Sequence, residues 1–547
     1  MSSMITTSAW VPRGFAAPFP AKYNIDEAEF DRIANLAKLK LDDANEDLRG
    51  AREEQEDSDD VSDDDGKESS AEKGTGNGEE KAPAPDDEEA EDIDINDDDL
   101  KEYDLEHYDD DDDDDAEGQS MDMFGVKSLT YYASNKEDPY ITIPDGEDDE
   151  DDDREELQIL ATDNLLLAAK VEDELAHLEV YVYEDEADNL YVHHDILLPA
   201  IPLCVEWLDI PVSKPSVAQD SRANFVAIGT MDPDIEVWDL DTVDCMYPNA
   251  ILGQGANSEE EGKKKKKKKK KKQKKANDEY HVDAVLSLAA NRNHRNLLAS
   301  ASADKTVKLW DLHTAKCAKS YSYHTDKVCS LAWHSVESTV LLSGSYDRTI
   351  AAADMRAPDA KPRRWGVESD VENVQWDPHD ANYFFASTEN GIVHYHDVRN
   401  APASPSASRP VWTLQAHDES LSAFDVNAHI PGFMATGSTD KTVKLWNLQP
   451  TGPAMVVARN LDVGRVFAAN FAPDAEVAFR LAVAGSKGTM HIWDTSTNAA
   501  VRQAFAHKIA GSSAADDTVE ERLIGVKADE RSSDGEDDGD AESMDED

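Results

Sequence analysis

Asp304-Lys305-Thr306-Val307-Lys308-Leu309-Trp310-Asp311 and Asp440-Lys441-Thr442-Val443-Lys444-Leu445-Trp446-Asn447 are near-copies of one another within a chain of 547 residues. Aligned on the tryptophan, the series runs Trp238, Trp310, Ala353, His396, Trp446 and Trp493, with spacings of 72, 43, 43, 50 and 47. A further copy, His177-Leu178-Glu179-Val180-Tyr181-Val182-Tyr183-Glu184, lies 55 residues before Trp238. That makes seven copies.

A repeat of about 40–45 residues ending in Trp-Asp is the sequence mark of WD40 β-propeller blades. One four-stranded blade cannot bury both sheet faces, whereas a closed ring of blades buries them. The expected fold is all-β: a seven-bladed propeller over residues 157–510, with a Lys-rich loop at 259–278 in the long first gap. The polar support of each blade is legible too. An Asp lies six residues before the Trp position at Asp232, Asp304, Asp347 and Asp440, and His281, His324 and His417 precede the first strands. Ser300 or Ser302, Ser343 or Ser345, and Thr436 or Ser438 lie between. Such a chain gives a buried indole N–H and an imidazole their partners. Ser, His and Asp are also the members of a catalytic triad, but a set that recurs at blade spacing is structural. The ring is imperfect. Blade four has Ala353, blade five has His396 and Asn390, and blade seven has Lys487 and no leading His, so the chain is complete only in blades three and six.

The formal charge is −63, and it is concentrated. Residues 41–160 hold 51 acids and 9 bases, and residues 516–547 hold 15 acids and 3 bases. Such stretches are too charged and too poor in apolar residues to offset chain entropy. Residues 51–156 and 511–547 are therefore expected to be acidic and mostly disordered. A packed island is expected near 121–144, around Met121, Phe124, Tyr131 and Asp138-Pro139-Tyr140-Ile141-Thr142-Ile143. Ser62, Ser69, Ser533 and Ser543 each stand three residues before an acid, the setting an acid-directed kinase uses.

Residues 1–50 differ in texture. Asp26-x-x-Glu29 reads as a capping box opening a helix, with Phe30, Ile33 and Ala37 on one face. Trp10, Arg13 and Phe15 are the residue types of interface hot spots. The expectation is that this segment binds a partner in trans, with Trp10 and Phe15 as anchors and the helix laid in a groove. The alternative is that it folds back on its own propeller.

Other classes drop out. The N-terminus shows no secretory signal, and the apolar run near Leu165–Ala169 is too short to span a bilayer. Cys204, Cys245, Cys317 and Cys329 lack C-x-x-C spacing and read as reduced thiols of an intracellular protein. No nucleotide-binding, metalloprotease, nucleophile-elbow or EF-hand motif occurs, and Gly485-Ser486-Lys487-Gly488-Thr489 reads as a turn. His193 and His194, adjacent on one strand, should face opposite ways. No enzyme, cofactor, metal or small-molecule substrate is indicated.

The sharpest local feature is Lys263-Lys264-Lys265-Lys266-Lys267-Lys268-Lys269-Lys270-Lys271-Lys272-Gln273-Lys274-Lys275. Three readings compete: a nuclear import signal, a sequence-blind contact to RNA phosphate, and a solvated insertion. The acidic tracts suit basic partners or the Lys run itself.

Trp10-Val11-Pro12-Arg13-Gly14, Pro20-Ala21-Lys22-Tyr23, the helix with Phe30, Arg32 and Ile33, the Asp138-Pro139-Tyr140-Ile141 island and the Leu178–Glu184 strand together resemble the periodic tryptophan protein family, in its single-propeller form. The resemblance spans about residues 4–50 and 120–510. It implies a nuclear and nucleolar scaffold in ribosome biogenesis, acting on large-subunit precursors and their ribosomal RNA, with the N-terminal segment binding a pre-ribosomal partner. Two rivals stand beside it. Asp354-Met355-Arg356 and Asp397-Val398-Arg399 match the Asp-x-Arg ending of cullin-RING ubiquitin-ligase receptors, and the acidic tails suit a chromatin or histone-binding propeller.

Overall fold

The strand Val307–Asp311 shows how the repeat folds. Val307, Lys308, Leu309 and Trp310 are all buried, so both strand faces are covered by neighbouring blades. A computed structural model of the chain describes residues 3–24, 33, 157–212, 222–253, 277–357, 360–505 and 520–526. The chain divides into two compact units, 1–50 with 154–547 and 51–153, and every described residue belongs to the first. The helix face at Phe30 and Ala37, the island, the Lys run, all four serines and the acidic tracts apart from residues 520–526 lie outside the described residues; Ile33 is helical and half-buried.

Seven four-stranded antiparallel sheets form the ring, and a short parallel pair, Ala21–Lys22 with Thr242–Val243, is added to it. Blade three runs outward from the channel as Val285–Ala290, Leu297–Ser302, Val307–Asp311 and Lys316–Tyr321. Blades three to six are each built from strands consecutive in sequence, and in blade two only the short Thr242–Val243 strand intervenes, between the third and fourth. Seven apolar clusters fill the seven junctions between blades. The one closing the ring joins Leu166 and Tyr181 of blade one to Ala482, Met490 and Ile492 of blade seven.

Blades one and seven correct the expected bounds of 157–510. The innermost strand of blade one is Ser3–Val11, paired antiparallel with Asn164–Glu172. The outermost strand of blade seven is Arg522–Gly525, which follows the helix Ala499–Phe505 and pairs with Met490–Asp494. The reason is apolar burial. Ile5 and Val11 are fully buried, and Ile524 is buried within a stretch that composition alone assigns to an acidic tail.

The seventh repeat copy also shifts. Counting 55 residues back from Trp238 reaches Tyr183, but the ladder puts Tyr181 in the tryptophan register. Leu166 pairs with Tyr181 as Leu298 pairs with Trp310. The irregularity before Tyr181 in its outer pairing matches the one before Trp310. Tyr183, two residues on, faces the blade-seven side and bonds Asp185 and Arg480.

Candidate functional site

In blade three the polar chain is a directed relay. Trp310 Nε1 donates to Ser300 Oγ at 2.7 Å, and Ser300 Oγ lies 2.6 Å from His281 Nε2. His281 Nδ1 lies 2.9 Å from Asp304 Oδ2. A carboxylate only accepts, so Nδ1 carries the proton and Nε2 receives the serine hydrogen. Burial depresses the imidazole, outweighing the pull of Asp304, and keeps it neutral. Burial alone would raise Asp304, but bonds from His281 and Thr306 hold it near 2. Blade six repeats the relay with Trp446, Thr436, His417 and Asp440 at 2.9, 2.9 and 2.8 Å. Blade four keeps His324, Asp347 and Ser343, and the Tyr323 hydroxyl, 3.2 Å from Ser343 Oγ, stands in for the indole that Ala353 lacks. In blade two Asp232 retains only the turn, its N–H donating to Thr230 Oγ1, while Trp238 donates to Glu236. Trp493 of blade seven is fully buried, and its Nε1 has no partner among the described residues. These sets sit inside separate blades and are enclosed, so they form no shared cleft.

The N-terminal residues expected to reach a partner are built into the ring. Trp10 is 8% exposed. It pairs with Leu166, as Trp207 pairs with Val226, Trp333 with Leu341 and Trp376 with Phe384. Trp10 is therefore one of a second periodic row, on the innermost strands. Phe15 packs edge-on against Trp207 at 4.7 Å, and the Arg222 guanidinium lies over the Phe15 ring at 5.4 Å. Arg13 donates from its backbone to Asp474, from Nε to Asn164 and from Nη1 to Glu476, clamping blade one to blade seven. Docking of Trp10 and Phe15 in trans is thus corrected to fold-back, because their apolar surface is already spent on the ring. The second row had a signal: Trp333 and Trp376 are separated by the blade period.

The space shared by all blades is the central channel, a cavity of about 600 Å³ lined by the seven innermost strands. Each of those strands carries a β-bulge at the same step. The extra residues are Thr6, Leu203, Leu286, Cys329, Glu372, Ser422 and Phe467, and all seven line the channel. A bulge re-aims one side chain without breaking the strand, so the repeat sets a ring of seven side chains into the channel. Three of them stitch neighbouring blades. Thr6 Oγ1 donates to Pro202 O at 2.8 Å, Cys329 Sγ donates to Val371 O at 2.9 Å, and Ser422 Oγ donates to Val466 O. Glu372 is the one charged member. Burial first, then Glu389 and Asp370, push its carboxyl up to about 7. On the same lining, burial raises Asp425 to about 6 despite the Phe471, Gln375 and Val426 donors. Glu206, also raised by burial, is paired with Arg292 at 2.8 Å. The lining is polar and acidic, with Glu206, Glu372 and Asp425 on it and Arg292 as a basic member. No sequence rule flags a bulge ring, because the extra residues share no residue type.

The other expectations fall as follows. His193 and His194 do not face apart: a bulge makes His193 the extra residue, and the two Nδ1 atoms meet at 2.8 Å. Gly485–Thr489 is the turn between the second and third strands of blade seven. Arg356 and Arg399 each fold back on their own Asp354 and Asp397 through two side-chain bonds. The four cysteines are free thiols. Among the described residues no group of three or more acids, histidines or cysteines could hold a metal, and no helix is long and apolar enough to cross a membrane.

Comparison with known proteins agrees with this architecture. The WD domain, G-beta repeat model matches residues 274–311, 315–351 and 408–447. An uncharacterised WD repeat-containing protein of Schizosaccharomyces pombe is 48% identical over 93% of this chain and 92% of its own. Periodic tryptophan protein 1 of Saccharomyces cerevisiae is 40% identical over 92% of this chain and 90% of its own. The Periodic tryptophan protein 1 homolog of Drosophila melanogaster is 31% identical over 66% of this chain and 74% of its own. With 40% identity over 92% of the chain, the protein belongs to the periodic tryptophan protein 1 family.

Proposed function

We propose that the protein is a non-catalytic nucleolar scaffold of large-subunit ribosome assembly, holding pre-ribosomal proteins and precursor RNA in register. The observation that carries this reading is family membership over nine-tenths of the chain. The fold supports the scaffold part of it. A rigid ring presents loops on two faces, and its Ser-His-Asp sets are consumed in holding tryptophans. Within this reading the Lys263–Lys275 run serves nuclear import or contacts RNA phosphate, and the acidic tracts engage basic assembly partners.

The test is purification of the tagged full-length chain from nuclear extract, with ultraviolet crosslinking of bound RNA. Enrichment of large-subunit precursor RNA and co-sedimentation with large-subunit precursors are expected. Recovery of a cullin adaptor or of histones, with no precursor RNA, would overturn the proposal.

A further inference from the structure

The connection between the third and fourth strands is four residues in blade three and two in blade six, but fourteen in blade five, residues 398–411. This inserted loop reads Pro402-Ala403-Ser404-Pro405-Ser406-Ala407-Ser408-Arg409-Pro410. Ser404 is exposed, its backbone is extended at φ −142° and ψ 151°, and its side chain does not cap the turn Pro405–Ala407 that follows. Its hydroxyl has Ser406 Oγ as its neighbour at 3.1 Å. The loop is nevertheless held in place. The Pro405 carbonyl comes so close to Gly366, on the outermost strand of blade four, that a Cβ there would lie 2.5 Å from it. At the start of the loop, Arg363 of the same blade-four strand donates from Nη1 to the Val398 carbonyl at 3.3 Å. Arg363 and Arg409 are both exposed, and neither forms an ion pair among the described residues.

We propose that Ser404 is a phosphorylation site for a proline-directed protein kinase, and that the phosphate staples the blade-five loop to blade four through Arg363 and Arg409. An extended serine followed by proline, on a solvent-facing loop, offers the backbone shape and the hydroxyl such an enzyme needs. The kinase moves the γ-phosphoryl group of ATP to Ser404 Oγ. The bond from phosphorus to the bridging oxygen breaks, ADP leaves with that oxygen, and the hydroxyl proton passes to the kinase's base. The product carries nearly two negative charges and three acceptor oxygens, which match forked guanidinium groups. This site differs in kind from Ser62, Ser69, Ser533 and Ser543, whose neighbours are acids.

The experiment treats the folded full-length protein with a proline-directed kinase and ATP, then maps phosphate by mass spectrometry and measures Tm. Incorporation at Ser404, absent from Ser404→Ala, is expected, with a Tm rise of about 1–3 °C. That rise should vanish in the Arg363→Ala/Arg409→Ala variant. If the folded chain is not modified at Ser404 while a synthetic peptide spanning 398–412 is, the site is refuted. If Ser404 is modified and Tm is unchanged, or rises equally in the arginine variant, the staple is refuted.

Discussion

The indole of Trp10 donates to the backbone carbonyl of Asn470 at 3.0 Å, across 460 residues of chain. The same bond occurs elsewhere in the ring: Trp333 donates to Ala289 O at 2.9 Å and Trp376 to Ala332 O at 3.1 Å. In each case the acceptor is the residue just before the partner blade's equivalent ladder position. Trp10 thus makes the inter-blade bond of an ordinary blade junction, with the first residues of the chain supplying it.

Trp10→Ala should therefore cost the apolar burial of an indole and its bond, about 3–5 kcal/mol. A clear fall in Tm of the full-length protein is expected, with Trp10→Phe falling less because the ring fill is kept. Thermal unfolding by circular dichroism reads this directly. An unchanged melting curve for Trp10→Ala would show that the N-terminal strand does not close the ring.

Asp304 and Asp232 occupy equivalent turns and should respond differently. Asp304 accepts from His281, from the backbone of Val282 and twice from Thr306. Asp304→Ala leaves the buried His281 with only the longer 3.3 Å contact to Thr306 Oγ1 and takes the acceptor from the buried Thr306 N–H, a loss of about 1–3 kcal/mol. Asp232 is exposed and has no imidazole bonded to it among the described residues, so Asp232→Ala should stay within about 0.5 kcal/mol. Denaturant titration of the two variants makes the comparison, and equal losses would contradict the relay.

The sequence showed the repeat and the relays because both recur at a fixed period with distinctive residues. Trp310, His281 and Asp304 can be placed by counting alone, whereas Ser300 and Ser302 both fit the count and the bonds to His281 and Trp310 single out Ser300. What counting missed is tied to one point in the ring. Ser3–Val11 is separated from its partner strand by an acidic stretch, and pairing across such a distance has no local signature. Composition drew Trp10 toward an interface reading, although it had the same register as Trp333 and Trp376. The channel ring was hidden for another reason. A bulge is a backbone event, and Thr6, Leu203 and Glu372 have nothing chemical in common.

His396 stands where other blades have tryptophan. It stacks on Phe384 at 5.2 Å and near His394, and neither of its ring nitrogens has a partner among the described residues. Burial first, then His394, lowers it to about 3. The folded value lies below the unfolded one near 6.5, so stability is full above pH 6.5 and is lost as pH falls toward 3. At pH 5 the loss is about 1–2 kcal/mol. His396→Phe keeps the stack and removes the titration, so its Tm should fall less than wild type between pH 7 and pH 5. An identical fall in both proteins would place the acid sensitivity elsewhere.

Glu372 gives the opposite sign. Its folded pKa of about 7 lies above the ordinary carboxyl value, because burial, Glu389 and Asp370 all disfavour the charge. The protonated form is the better tolerated one, so stability is full below about pH 4.5 and is lost as pH rises through 7. Glu372→Gln holds the neutral state at every pH. Near pH 5 wild type is itself mostly protonated, and the two proteins should melt within about a degree of each other. At pH 8 the variant should be more stable by about 1–3 kcal/mol, the cost of ionising the carboxyl inside the channel. The comparison needs both pH values, since Gln also changes hydrogen bonding and that change is common to the two. An advantage over wild type no larger at pH 8 than at pH 5 would show that Glu372 ionises freely. A cationic partner group seated in the channel would erase the gap by pairing with the carboxylate, so the same pair of proteins also reports on occupancy of the channel.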